Sequence, residues 1–130
     1  MDRHLGKYSN QLYAVLRLVV GLLFAMHGTQ KLFGFPGSRE PVALASLAGA
    51  AGVIEVVGGI LIAIGLAAGY AAFICSGQMA VAYFLRHHSS EAFWPIQNRG
   101  ELAVLYCFTF LYMASRGSGK WSVDSIFRRK

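Results

Sequence analysis

The sequence predicts an all-α integral membrane protein, an antiparallel four-helix bundle, and three observations carry that reading. Hydrophobic residues make up 55% of the 130 positions, with a mean hydropathy of +0.48. Charged residues make up only 14%, where a soluble domain averages about 25%. Val42–Leu66 is an uninterrupted apolar run in which Glu55 is the lone charge and Ser46 the only other polar side chain. At ~1.5 Å rise per residue these ~25 residues exceed the ~30 Å hydrocarbon core of a bilayer. The length suits one compact membrane domain, residues 1–130, with no second unit.

Each element follows from local pattern. The first span, about residues 10–29, is an apolar run that carries Arg17 within it. No small-residue cleavage pattern follows, so it is expected to stay as a span and not to leave as a signal peptide. Phe33–Glu40, rich in Gly and Pro, is a turn-containing loop. The second span is expected at 41–66 and the third at 69–85. The connection across Ala67–Gly69 is so short that these two must be antiparallel neighbours. Arg86–Asn98 is a longer amphipathic loop whose Phe93-Trp94-Pro95 suits the bilayer interface, where Trp is enriched. The fourth span is expected at 99–114. A Gly/Ser break then opens a tail, 115–130, in which Trp121, Val123, Ile126 and Phe127 stand among basic residues as in a segment lying on a membrane surface.

Net charge is +6 and the isoelectric point about 9.7. The basic residues gather at the ends and in loops, with no basic face carrying interleaved aromatics, so nucleic acid is not an expected partner. One side of the predicted topology holds Arg3, Lys7, Arg116, Lys120, Arg128, Arg129 and Lys130; the other holds Lys31, Arg39, Arg86 and Arg99. The positive-inside rule therefore places both termini in the cytoplasm. Cys75 and Cys107 lie in apolar runs without ligand spacing, so they read as small buried hydrophobes, and no metal site is indicated.

Polar residues inside the spans are the candidate functional positions, because ionisable groups in hydrocarbon are costly and need partners. At 100° per residue, Arg17, Gly21, Phe24, Gly28 and Lys31 share one stripe of the first span. Ala48, Gly52, Glu55, Gly59 and Ala63 form a small-residue stripe on the second, which lets helices approach closely. Counted from the predicted helix ends, Arg17 lies roughly 10 Å deep, Glu55 roughly 16 Å and Gln78 roughly 12–14 Å. These depths predict an Arg17–Glu55 ion pair with Gln78 as a third member. A second cluster gathers near the opposite surface: His27, Gln30 and Lys31, then Arg86, His87 and His88, then Glu101. Long basic side chains also snorkel at helix ends, which is the plainer reading of Lys31 and Arg86. His27 and His87 at similar depth are too weak a sign for haem, which needs both rings aimed at one iron.

The segments LLFAMHGTQKLFGF at 22–35, EVVGGILIAIGL at 55–66, MAVAYFLRH at 79–87 and FWPIQNRGELAVLYCFTFLYMASRGSGKWSVD at 93–124 resemble the DoxX family of small bacterial membrane proteins. The resemblance runs in order over nearly the whole chain. It implies four helices in the bacterial plasma membrane and a kinship to the membrane subunits of thiosulfate:quinone oxidoreductase. It also implies that His27, Gly28, Gln30, Lys31, Glu55, Gly58, Gly59, Asn98, Gly100 and Glu101 occupy the family's characteristic positions. Arg99 departs from the pattern, standing where a small residue is common in Asn-x-Gly-Glu.

The leading functional expectation is a quinone- or quinol-linked redox component. His27, Gln30, Lys31 and Glu101 are the candidate quinone-binding residues, with Phe24, Phe108 and Tyr112 available to line an apolar tunnel for the tail. Histidine exchanges protons near neutral pH, and a buried carboxylate can be retuned to do so. No flavin, dinucleotide or iron–sulfur signature is present, so no covalently bound cofactor is indicated and electrons are expected from a separate redox partner protein. No single catalytic residue is singled out. The alternative is a membrane scaffold or assembly factor without enzymatic activity, and, lower still, a small proton-linked transporter gated by Arg17 and Glu55. The lipid bilayer is the certain partner; a homo-oligomer is a further candidate.

Overall fold

A computed structural model of the chain describes residues 2–128, and it is all-helical over that range. A short helix α1, Asp2–Leu5, and a 3-10 turn, Gly6–Tyr8, lead into the long helix α2, Ser9–Phe33. Next in order come α3, Leu47–Ile64; α4, Ala68–Ala82, continued by a π-helical turn at Tyr83–His87; α5, Glu101–Arg116; and the short α6, Val123–Phe127. Arg129 and Lys130, counted above in the tail's charge, lie outside the described residues.

Among the described residues, three segments are long and apolar enough to cross a membrane: Gly6–Phe33, Leu47–Ile64 and Ala68–His87, of 28, 18 and 20 residues. The 16 residues of α5 fall short of that length. The second span begins at Leu47, six residues later than hydropathy suggested, for two local reasons. The Val42 amide donates to the Lys31 carbonyl at 2.8 Å, which pins residues 41–45 across the end of α2. Ser46 then caps the helix by accepting from the Gly49 amide at 3.0 Å, the usual role of a serine at this position.

Glycine sets the closest helix contact. A Cβ on Gly21 would lie 2.6 Å from the Gly59 carbonyl oxygen and the Ala63 amide, and one on Gly28 would lie 2.6 Å from the Gly52 carbonyl oxygen. Backbone meets backbone along α2 and α3, with the two small-residue stripes face to face. Helix α4 packs on α3 and α5, and α5 closes against α2 through Phe24, which meets Phe110 at 4.7 Å and Tyr106 at 5.2 Å between ring centroids. Phe24, Ile62, Cys75, Phe110 and Met113 form the dry centre. Leu18, Leu22, Phe73, Ile74, Leu105 and Phe108 point outward, a belt of exposed apolar side chains far too large for a water-soluble surface.

The tail folds back on the α3–α4 turn. Asp124 accepts from the Ala67 amide at 2.9 Å and donates its own amide to the Gly65 carbonyl at 3.1 Å. Ser118 links the Ala68 amide to the same carboxylate. Trp121, Ile126 and Phe127 stay exposed on this docked segment.

Candidate functional site

At the end of the molecule formed by the C-terminus of α2, the N-terminus of α3, the C-terminus of α4 and the start of α5, a cavity of about 790 Å³ opens between the helices. Its walls are apolar, from Phe24, Ile54, Met79, Leu102 and Ala103. Three polar side chains from three helices meet on its lining. Lys31 of α2 is within 2.5 Å of Glu55 Oε1, and Gln78 of α4 donates its amide to the same oxygen at 2.9 Å. The Glu55 side chain is 2% exposed and that of Lys31 29%. The carboxylate is therefore the buried member, and the ammonium reaches it from the cavity. Glu55 Oε2 and Gln78 Oε1 accept no hydrogen bond among the described residues. Such unpaired buried acceptors are rare in folded proteins and mark places where a site is incomplete or strained.

His27, an exposed residue, and Tyr106, a buried one, also line the cavity, with ring centroids 6.0 Å apart and nearly perpendicular. Nearer the mouth stand Arg39, Arg86, His87 and Arg99. Asn98 fixes this side of the mouth: its amide nitrogen donates to the Tyr83 hydroxyl and the Ala92 carbonyl, each at 3.1 Å, and its oxygen accepts from the Gly100 amide at 2.9 Å. Gly100 is required there because a Cβ would run into the Tyr83 ring. Asn98 and Gly100 are thus positioning residues of the loop. Arg99 between them takes a left-handed backbone, φ 59°, which glycine adopts with less strain.

The expected Arg17–Glu55 pair does not form. Arg17 is buried to 1% exposure, but its guanidinium donates to the Ile62 carbonyl at 3.2 Å and to the Trp121 carbonyl at 2.8 Å. The reason is register. With Gly21 against Gly59 and Ala63, Arg17 comes level with Gly65, where a Cβ would overlap the guanidinium. Glu55 lies ten residues further along α3, about 15 Å away at 1.5 Å per residue. Depth counted from helix ends missed this, because α2 starts well beyond the end of α3.

The two predicted clusters are rearranged accordingly. Lys31, assigned to the surface group, joins Glu55 and Gln78 in the interior. His27 lines the cavity, whereas Gln30 turns away and donates to the Pro36 carbonyl at 3.0 Å, beside a separate hollow of about 230 Å³. Glu101 is exposed at the first turn of α5 and is not on the cavity lining. Phe108 and Tyr112 also face outward, so of the proposed tunnel residues only Phe24 lines the cavity. Tyr106, Arg39 and Arg99 were missed as cavity residues. Tyr106 was legible: it stands with Ala103 and Phe110 on one face of α5 by helical period. Arg99 stands out from the family pattern, but nothing in the sequence aims it or Arg39 at the cavity, since both come from loops.

A family model described as DoxX matches residues 12–88. The chain is also 42% identical over 137 residues to an uncharacterized protein of Haemophilus influenzae, with 98% of each chain covered. No solved structure matches it.

Proposed function

We propose that this chain, which belongs to the DoxX family, is a quinone- or quinol-linked redox component of the bacterial plasma membrane that works with a separate redox partner. In this reading α2 to α5 cross the bilayer as an antiparallel four-helix bundle with both termini in the cytoplasm. Helix α5 spans despite its length because Arg99 and Arg116 at its ends can snorkel and the bilayer thins locally at modest cost.

The observation that carries the proposal is the cavity itself: an apolar chamber between the helices, with an ammonium, a buried carboxylate, an amide and an imidazole on its lining. A quinone head group is flat and apolar with carbonyl acceptors, and its chemistry couples electrons to protons. Lys31 and His27 can donate to a carbonyl, while His27 and Glu55 are the groups suited to pass a proton. Phe24 and Tyr106 offer ring faces beside them. Compared with the set expected from sequence, Glu55, Gln78 and Tyr106 replace Gln30 and Glu101.

A titration of the purified protein with a short-tailed ubiquinone analogue tests this. Saturable one-to-one binding, weakened at least tenfold by His27→Phe, is the expected result. His27 is exposed and makes no hydrogen bond among the described residues, so a Phe of similar bulk should leave folding unaffected. No binding to the unaltered protein sinks the proposal.

A second reading, a membrane scaffold without enzymatic activity, has its own observation. Glu55 ties α2, α3 and α4 together through one oxygen, as interhelical glue would, and such contacts average about 0.6 kcal/mol in membranes. Under this reading the analogue does not bind.

A further inference from the structure

Three arginines stand at one cavity mouth, and they come from three separate segments. Arg39 belongs to the α2–α3 link, Arg86 to the π-helical turn that ends α4, and Arg99 to the residue pair before α5. None of the three makes an ion pair or a side-chain hydrogen bond among the described residues. Among the described residues Glu55 is the single carboxylate on the cavity lining, and Lys31 already offsets it. On the lining itself this leaves three unpaired arginines, while the exposed Glu40 and Glu101 that neighbour Arg39 and Arg99 in sequence lie off it. Isolated arginines at helix ends are ordinary interfacial anchors. Three that line one opening, with no carboxylate beside them on the lining, make a site for an anion.

The cavity also opens sideways. Ile74, Val81 and Leu85 of α4 and its π-helical turn line it, and yet they are 59%, 55% and 61% exposed, along one outward face of the helix. Above them Phe93 and Trp94 are 59% and 62% exposed in the loop that carries Arg99, the placement of an aromatic belt at headgroup level. An acyl chain can thus run along the α4 face while an anionic headgroup sits among the arginines. A free anion has no use for that apolar exit.

We propose that the cavity mouth is a binding site for an anionic phospholipid, its phosphate held by Arg39, Arg86 and Arg99 and its chains leaving along Ile74, Val81 and Leu85. The inner residues Lys31, Glu55 and Gln78 stay free of it. The proposal does not rest on the quinone reading and applies to whichever leaflet the mouth faces.

The test is lipid binding to the full chain by native mass spectrometry from mild detergent, with phosphatidylglycerol and phosphatidylcholine offered in equal amounts. Retention of phosphatidylglycerol over phosphatidylcholine by at least tenfold is expected. The triple variant Arg39→Gln, Arg86→Gln, Arg99→Gln should lose that preference. A charge-matched control at the other end, Lys7→Gln, Lys120→Gln, Arg128→Gln, should keep it. If the triple variant loses its helical circular dichroism, Arg39→Gln alone, in a loop, is measured in its place and should weaken retention at least threefold. Equal retention of the two lipids, an unaltered rim variant, or an equal loss in the control each overturns the proposal. Displacement of the lipid by millimolar inorganic phosphate also overturns it, by assigning the arginines to a soluble anion.

Discussion

Removing Lys31 should cost far more than removing an ordinary half-exposed lysine, and only part of that cost should remain when Glu55 is removed with it. In Lys31→Met the Glu55 carboxylate, 2% exposed, keeps one hydrogen bond, from Gln78 at 2.9 Å, and loses its counter-charge. Breaking a buried pair by deleting one partner costs about 3–5 kcal/mol; the cavity beside Glu55 allows some relaxation, so about 3 kcal/mol is the expected loss. In Glu55→Gln the lysine keeps its charge, but it is 29% exposed and can swing toward the mouth. Its loss is a charge-assisted hydrogen bond, about 1.5–3 kcal/mol, taken at the lower end. The double variant leaves Met beside a neutral amide that still accepts from Gln78, so its total loss should be about 2.5 kcal/mol. The implied coupling is about 2 kcal/mol. Reversible unfolding in mixed micelles, followed by helical circular dichroism, measures each corner of the cycle. A second cycle, Arg17→Met with Glu55→Gln, serves as the internal contrast. The two residues are separated by about three turns of α3, so their effects should add within about 0.5 kcal/mol. Coupling below about 0.5 kcal/mol for Lys31–Glu55, or coupling above it for Arg17–Glu55, refutes the register described above.

Gly28→Ala places a Cβ 2.6 Å from the Gly52 carbonyl oxygen and should destabilise by about 1–3 kcal/mol. Gly77→Ala, with open space around it, should be neutral or stabilise by up to about 1 kcal/mol; thermal unfolding of both variants checks the contrast. Asp124→Ala removes the acceptor for the Ala67 amide and for Ser118, so the tail should undock and trypsin should cut at Lys120 markedly faster, with no change in rate counting against the docked tail. For orientation, single cysteines in a variant lacking Cys75 and Cys107 should label from outside intact cells at Ser38 and Ser90 and fail to label at Lys120. The reverse pattern overturns the assignment of cytoplasmic termini.

Much of the fold was legible because the forces that make a membrane helix are local. Hydropathy over some twenty residues located the three long apolar helices, and Gly and Pro punctuated the loops. The 3.6-residue period put Arg17, Gly21, Phe24 and Gly28 on one buried face and Gly52, Glu55, Gly59 and Ala63 on another. The start of α3 was harder to read, because hydropathy does not distinguish an apolar strap from a helix. Pro41 to Ala45 are as apolar as the first turns of α3, and the hydrogen bond to Lys31 that holds them is a tertiary contact.

The sequence alone determined that a buried carboxylate needed a cation, and it supplied two, Arg17 and Lys31, on the same stripe of α2. Choosing between them required the sliding register of α2 against α3. That register is decided where Gly21 and Gly28 let the backbones touch, by steric contacts between residues some thirty positions apart. A shift of four residues along one helix moves a side chain about 6 Å, roughly the reach of an arginine, so no count from fraying helix ends could resolve it. Packing gave Glu55 to Lys31, left Arg17 to the carbonyls beneath the folded tail, and opened the cavity between the Lys31–Glu55 pair and the arginines of two loops.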